Sequence, residues 1–192
     1  MSEVKTNKIS PSVGTTLTLG DSGDTITTAG TATGFGITHA SQWRLNTNFT
    51  GDASPIDANL EEVDAPVGFG VLGSSMTEAS GIFTFPSTGY WLITFDASFS
   101  CIGNNRQILV WIYTTHDDST WAKAAEGNCF TNSATMSTPI YASATASYIF
   151  DVTSTSTHKC AFYVDMFISS DTTEGNTDRN KTWMTFVKLA DT

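Results

Sequence analysis

Short apolar runs alternate with clusters of turn-forming residues from about Ser41 to the end of the chain. The runs are rich in β-branched and aromatic residues and have the length of strands, whereas no long segment has the 3.6-residue apolar spacing of an amphipathic helix. The turn clusters between the runs are of hairpin length in several places. The pattern therefore predicts an all-β, antiparallel sandwich or barrel. The predicted strands are Gln42–Asn46, Gly81–Phe85, Tyr90–Ser100, Gln107–Thr114, Thr120–Ala125, Ala142–Val152, Lys159–Ser169 and Thr182–Leu189.

Several of these strands are apolar on both faces. In the strand that begins at Tyr90, the set Trp91, Ile93 and Phe95 alternates with Tyr90 and Leu92 rather than with polar residues. The two strands nearest the C-terminus repeat this pattern. An antiparallel sheet in a monomeric sandwich normally has one wetted face, on which polar residues alternate with the buried ones. We therefore predict that something covers the outer face of the sheet.

Two kinds of cover are compatible with this pattern. Neighbouring copies of the chain cover the outer face, as in a closed cyclic oligomer, or the loop 48–70 folds back over it. We favour other copies, because a chain without helices has little else with which to cover a sheet. The predicted interface residues are Tyr90, Trp91, Leu92, Trp183 and Phe186.

The first forty residues have a different composition, dominated by Thr, Ser and Gly. Short alternations such as Thr16 to Leu19 have the two-residue period of strands, but their apolar residues are too few for a separate core. Such a segment orders only against copies of itself or a larger assembly. The alternative is a low-complexity arm without fixed structure. We divide the chain into an extended N-terminal arm, residues 1–40, and a head domain, residues 41–192.

Composition supports the β assignment and argues against two classes of partner, nucleic acid and anionic lipid. The 192 residues include 32 Thr and 21 Ser, and only 15% are charged, which disfavours a helical protein. The formal net charge of −10 repels nucleic acid and anionic lipid. No run of 18 apolar residues is present, and the first ten residues lack the apolar stretch of a signal peptide. We expect a soluble chain with no nucleic-acid partner, no membrane insertion and no export signal of its own.

Catalytic motifs are absent from the sequence. The three histidines stand alone, without a second ligand at zinc-binding spacing, and the three cysteines have neither a C-x-x-C spacing nor a neighbouring base. There is no glycine-rich phosphate loop and no G-x-S-x-G turn. We predict a non-enzyme without catalytic residues, cofactor or metal. A glycosidase-type carboxylate pair drawn from Asp96, Glu126 and Asp165 stays open.

One loop has the composition of a sugar-binding site. Asp117 and Asp118 precede Trp121 where a loop runs into a predicted strand. An indole ring covers the apolar face of a pyranose, while carboxylates accept its hydroxyl protons. We predict ligand binding at Asp117, Asp118 and Trp121; an exposed turn followed by a core or interface tryptophan is the alternative.

A second loop has oxygen ligands of the kind that calcium prefers. It gathers Asp171, Glu174, Asn176 and Asp178 around Gly175. The spacing is not that of an EF-hand loop, which needs acids at alternate positions and a terminal Glu. Calcium binding is therefore left open, beside the simpler reading of a hydrophilic hairpin tip.

The head contains a Gly-x-Phe pair, a Gly-Tyr-Trp triplet and an aromatic last strand, in that order. Their residues are Gly81, Phe83, Pro86, Gly89, Tyr90, Trp91 and Phe186 to Leu189. Over about residues 41–190 this spacing resembles the jelly roll of the tumour necrosis factor and complement globular-head superfamily. The resemblance implies a jelly-roll sandwich that forms a compact homotrimer, with aromatic residues of the inner sheet around the threefold axis.

The N-terminal segment resembles a narrower group. The stretch VKTNKISPSVGTTLTLGDSGDTIT, which runs into GTATGFG, is similar to the beginnings of tail-fibre and other virion surface proteins of tailed bacteriophages, especially marine ones. The resemblance implies a virion structural protein whose arm, residues 1–40, binds another virion protein. No repeat, collagen-like or coiled-coil shaft separates the arm from the head.

These observations together favour a short, tail-fibre-like trimer that presents its head for host-surface recognition, with a host glycan as a possible ligand. The different class that we keep as an alternative is a capsid decoration protein, in which the trimer stabilises the shell. A glycan-cleaving depolymerase is a third, weaker class. In each case we expect the protein to be made in the host cytoplasm and to reside on the virion, at the tail or on the capsid surface.

Overall fold

The computed structural model describes residues 13–14, 21–23, 25, 36–102, 106–131 and 138–192. By its contacts the chain divides into two units, Met1–Phe35 and Gly36–Thr192. Most of the predicted arm lies outside the described residues, so the division into arm and head stays a prediction. The fold described below is that of the second unit.

The second unit is built from antiparallel β-strands, and its described residues include no helix. This confirms the all-β sandwich expected from the sequence. The strands are β1 Ala40–Leu45, β2 Phe49–Thr50, β3 Leu60–Glu62, β4 Thr77–Ala79, β5 Ile82–Thr84, β6 Gly89–Cys101, β7 Ile108–Thr115, β8 Trp121–Cys129, β9 Ile140–Val152, β10 Lys159–Met166, β11 Thr172–Thr173 and β12 Trp183–Ala190.

All eight strands predicted from the alternation are present. The largest difference is in β8, which continues to Cys129 rather than ending at Ala125. Its second half contains small and polar residues, so it lacks the apolar run that would have marked it. The structure adds β2, β3, β4 and β11, which have two or three residues each and are too short to show a two-residue period.

The strands form two sheets. The seven-stranded sheet has the order β2–β11–β6–β12–β1–β3. Strands β12 and β11 follow one another along one edge of β6, and β9 pairs with its opposite edge. This last pairing runs the full length of both strands, from Gly89 opposite Val152 to Cys101 opposite Ile140. The five-stranded sheet has the order β4–β5–β10–β7–β8.

The hydrophobic core lies between the two sheets. Alternate residues of β6 point into it, because side chains on a strand alternate between its faces. Phe95 is fully buried and lies 5.1 Å from the ring of Phe162 on β10, which in turn contacts Phe83 on β5 at 5.3 Å. Burying an aromatic or aliphatic side chain of this size contributes roughly 1.5–3 kcal/mol. The aromatic residues of the two-faced strands are thus a main source of the sandwich's stability.

Two of the five predicted interface residues belong to this core. Trp91 is 1% exposed and packs against Phe85, and Phe186 is 0% exposed and packs against Phe83. We correct the prediction for these two residues, because a side chain enclosed within one chain has no surface to offer a partner. When both faces of a strand are apolar, the sequence does not tell which set faces the core. The other three predicted interface residues point outward: Tyr90, Leu92 and Trp183.

The loop 48–70 covers one part of the seven-stranded sheet. Arg44 points to the outer face of β1, opposite Trp183, yet it is 0% exposed. Its guanidinium donates to Glu61 at 2.7 Å, to Asp64 at 2.6 Å and to the carbonyl of Ala65 at 2.7 Å. The alternative that this loop folds back is therefore correct at the β1–β3 edge, while most of the sheet's outer face is left uncovered by it.

Candidate functional site

The outer face of the seven-stranded sheet carries an apolar row that crosses five neighbouring segments. The strand register places the members of this row directly opposite one another. Ile149 is 56% exposed and Leu72 is 50% exposed, and Tyr90 and Leu189 add exposed apolar surface at the same end. We call this set the outer row: Ile149, Leu92, Val187, Ala40 and Leu72.

The surface next to the outer row is polar. One step along the strands, Thr94 lies between Ser147 and Thr185, and Thr185 accepts a 3.0 Å hydrogen bond from Gln42. One step further, Asp96 accepts a 2.6 Å hydrogen bond from Thr145. The outer face is thus apolar at one end and rich in hydroxyl groups in the middle, where the sequence of β6 changes from Leu92 to Thr94 and Asp96.

A depression of about 450 Å³ lies on the outer face of the five-stranded sheet. Its volume falls within the range of small-ligand sites, about 300–1,000 Å³. We call it the Trp121 pocket. It is lined by Thr77, Glu78, Ala79, Ile82, Thr84, Asp118, Trp121 and Lys159.

Two of the three residues predicted for ligand binding line this pocket. Asp118 lies in the turn between β7 and β8, in a left-handed conformation with φ of 61°. Its carboxylate accepts a 2.7 Å ion-paired hydrogen bond from Lys159, the first residue of β10. Its backbone N–H donates to the carbonyl of Thr157 at 3.1 Å. The side chain of Asp118 is therefore held in place at the rim of the pocket.

Asp117, the third predicted residue, is occupied by the turn itself and does not line the pocket. One carboxylate oxygen accepts the backbone N–H groups of Thr120 at 2.6 Å and Ser119 at 3.0 Å, and the hydroxyl of Thr115 at 3.0 Å. These donors, led by the backbone of Thr120, hold the pKa of Asp117 well below its usual range. We assign Asp117 to the stability of the turn.

The pocket residues that the sequence analysis missed come from distant segments. Glu78 belongs to β4, Thr84 to β5 and Lys159 to β10, and the sheet order brings them to Trp121 on β8. No local motif marks them. Only the pairing of β10 with β5 and β7 would have revealed the site.

Three of the four oxygen-bearing side chains in the loop considered for calcium bond within the protein: Asp171, Glu174 and Asn176. Glu174 pairs with Lys181 at 2.7 Å, and the side-chain oxygen of Asn176 accepts the backbone N–H groups of Asp178 and Arg179. Asp171 is buried and accepts a hydrogen bond from the backbone of Ile102. Within the described residues, no group of three His, Cys, Asp or Glu side chains is arranged to hold a metal ion.

The cysteine thiols lie in surroundings that oppose ionisation. Burial, with a contribution from Asp171, raises the pKa of Cys101 to about 12, and burial raises that of Cys129 to about 11. Cys160 is fully buried and its pKa is also raised. A nucleophilic cysteine needs the thiolate form, so all three thiols are poorly suited to nucleophilic chemistry.

In the described ranges, no helix has the length and apolarity needed to cross a membrane. No protein-family model matches the chain, and no curated protein matches it by sequence.

Solved structures do resemble the fold. Eiger TNF from S. frugiperda superposes with a TM-score of 0.56 at 15% identity, over 80% of this chain and 93% of its own. Murine APRIL at pH 5.0 gives a TM-score of 0.56 at 10% identity, over 79% of this chain and 98% of its own. The expected resemblance to this class of jelly roll is thereby confirmed. The second unit of the chain therefore has an antiparallel jelly-roll fold similar to that of these structures.

Proposed function

We propose that this chain is a surface protein of a tailed-phage virion, a short tail-fibre-like homotrimer. Its arm, residues 1–40, anchors it to another virion protein, and its head recognises the host surface. Two independent observations support the two halves of this proposal. The outer row supports self-association, and the N-terminal similarity to phage surface proteins supports the place on the virion.

The outer row is the single observation on which assembly depends. Ile149, Leu92, Val187 and Leu72 form one contiguous apolar strip on a sheet face that its own loops leave open. Apolar strips rimmed by polar groups on soluble proteins mark interaction surfaces. A second copy of the chain offers the same strip, and cyclic association of copies buries it in a closed assembly.

A capsid decoration protein is the second candidate. The specific observation in its favour is the lack of any repetitive or coiled-coil shaft between residues 1–40 and the head. The first strand begins at Ala40, a few residues after the unit boundary at Phe35. A compact trimer with a short arm is compatible with a position on the capsid surface and equally with a short tail fibre.

We expect no catalytic activity from this protein. The cysteine pKa values are raised, and the loop acids at Asp117 and Asp118 have structural partners. A depolymerase would release new reducing ends when the purified protein is incubated with host polysaccharide. Their appearance would contradict the binding role.

Labelled antibody on purified virions tests the proposed location. Labelling confined to the tail is the result expected for a fibre-like protein, whereas labelling spread over the head would replace this proposal by the decoration role. Absence of the chain from washed virions would overturn both.

Deletion of residues 1–38 tests the anchor. The head retains β1 to β12, so we expect a truncated protein that folds and sediments as the full chain does. Because the arm is the proposed attachment, this protein should fail to join virions in a complementation experiment. Incorporation at the normal copy number would contradict the anchor assignment.

A further inference from the structure

We propose that the Trp121 pocket binds a neutral glycan, composed of uncharged hexose or N-acetylhexosamine units. The inference rests on the proposed recognition function and gives it a ligand class and a location on the head. The location is the outer face of the five-stranded sheet, away from the outer row that is proposed for self-association.

The strand register builds the pocket as two rows. Thr77, Thr84, Lys159 and Trp121 lie in one row across the sheet, on β4, β5, β10 and β8, and the buried Thr115 of β7 lies between the last two. Ala79 and Ile82 occupy the next row on the same face and give it an apolar floor. A pyranose has both an apolar face and a ring of hydroxyl groups, so it needs an apolar surface beside hydrogen-bonding groups.

Several polar groups in the pocket have unused hydrogen-bonding capacity. Within the described part of the chain, the hydroxyls of Thr77 and Thr84 and the indole N–H of Trp121 have no protein partner. One oxygen of Glu78 accepts the backbone N–H of Gly81 at 2.6 Å, which leaves the other oxygen for a ligand. These groups supply both donors and acceptors to sugar hydroxyls.

The ion pair at the rim fixes two further groups. Lys159 uses one of its three N–H donors on Asp118, and side-chain exposures of 21% and 45% leave both groups accessible. Asp118 is also held through its backbone bond to Thr157. Groups that are held in place before binding lose less conformational entropy when a ligand arrives.

Charge selects a neutral ligand over an anionic one. The pocket contains two carboxylates, Glu78 and Asp118, against one ammonium, Lys159, and the whole chain has a formal charge of −10. Sialylated, sulphated or phosphorylated sugars would meet a repulsive potential here. Uncharged sugars would not.

The test is binding of the full chain to an array of neutral, sialylated and sulphated oligosaccharides, followed by calorimetric titration of the strongest neutral probe. We expect Trp121→Ala to weaken binding about tenfold or more, because the indole supplies the stacking surface. Thr84→Val keeps the shape of the pocket and removes one hydroxyl, and we expect a smaller loss of about threefold or more.

Trp111→Ala is the matched control. Trp111 lies on the same sheet face but outside the pocket, with Lys123 over its ring at 3.8 Å and its N–H bonded to Glu126. We expect this variant to bind within about twofold of wild type. Binding by Trp121→Ala at wild-type strength, binding only to charged sugars, or no binding by the wild-type chain would each overturn the inference.

These outcomes are separable from those of the proposed function. A virion-associated trimer that binds no neutral sugar would contradict only the glycan inference. A chain that binds the sugar through Trp121 but is absent from virions would contradict only the proposed location.

Discussion

Individual polar residues hold the loops of this sandwich in place, and their roles are visible only in three dimensions. Asp117 looks like a ligand residue in the sequence, beside Asp118 and close to Trp121. In the structure it accepts hydrogen bonds from the turn, and its neighbour Asp118 forms the rim of the pocket. Two adjacent identical side chains thus have different functions, because successive residues of a turn point in different directions.

Replacement of Asp117 tests its role in the turn. The lowered pKa of Asp117 means that its stabilising effect is complete above the unfolded-state pKa, near 3.9, and is lost as the pH falls through its folded-state pKa. We therefore expect Asp117→Ala to lower the melting temperature at pH 7 and to differ less from wild type at pH 3. Calorimetry at the two pH values measures this. An equal difference at both would contradict the assignment. The control is Asp151→Ala, because the carboxylate of Asp151 has no partner among the described residues.

The buried guanidinium of Arg44 provides a second test at this scale. Burial alone would raise the pKa of Glu61, but hydrogen bonds from Arg44, Thr177 and Asn46 outweigh it and lower the pKa. Glu61→Ala removes the less exposed of the two carboxylates that pair with this fully buried cation, so we expect a loss of about 3 kcal/mol in the free energy of unfolding.

Glu62→Ala, on the same short strand, is the control for this variant. Its side chain has no hydrogen-bond or ion-pair partner in the described part of the chain. We expect its unfolding free energy to lie within about 0.5 kcal/mol of wild type. If chemical denaturation gives the two variants equal stability, the ion cluster does not hold the loop.

At the scale of elements, the alternation of apolar residues predicts the long strands but not their neighbours. The strand β6 is recognisable from its sequence because Trp91, Ile93 and Phe95 recur at every second position. No sequence pattern indicates that β10 pairs with β5 and β7, because the pairing joins segments that are far apart in the chain. The Trp121 pocket depends on this pairing, which is why the sequence yields Asp118 and Trp121 but not Lys159.

The two sheets approach each other where β8 passes β9, and this contact requires a glycine. A Cβ at Gly127 would overlap the backbone carbonyl of Thr145, which belongs to β9 and has little freedom to move. We expect Gly127→Ala to lower the unfolding free energy by about 1–3 kcal/mol, because it overpacks the closed edge of the sandwich.

Gly70→Ala is the matched control for that substitution. The space around Gly70 is open and its φ is not positive, so an added methyl group meets nothing. We expect an unchanged or slightly raised stability, since alanine restricts the unfolded chain. Equal destabilisation of both variants in urea would contradict the close approach of β8 and β9.

At the scale of the whole molecule, the two outer faces have separate uses in our account. The seven-stranded sheet presents the outer row, and the five-stranded sheet presents the Trp121 pocket. A head that assembles through one face and binds ligand through the other repeats its pocket once per copy. Several weak sugar contacts then act together, which strengthens attachment well beyond the affinity of one site.

Charge introduced into the outer row should disrupt assembly without unfolding the head. Leu92 lies between Ile149 and Val187 in the row, so Leu92→Lys places an ammonium group where apolar surfaces would meet. We expect this variant to sediment as a monomer with an unchanged circular dichroism spectrum. The matched control is Leu109→Lys on the outer face of the five-stranded sheet, opposite Asp165, which should assemble as wild type does.

Sedimentation equilibrium of the purified full chain at micromolar concentration tests the central claim, that copies of this chain cover the outer row. The account predicts a species of three times 20.6 kDa, which persists on dilution through the micromolar range. A single species of 20.6 kDa would contradict it, because the apolar row would then be stable in contact with water.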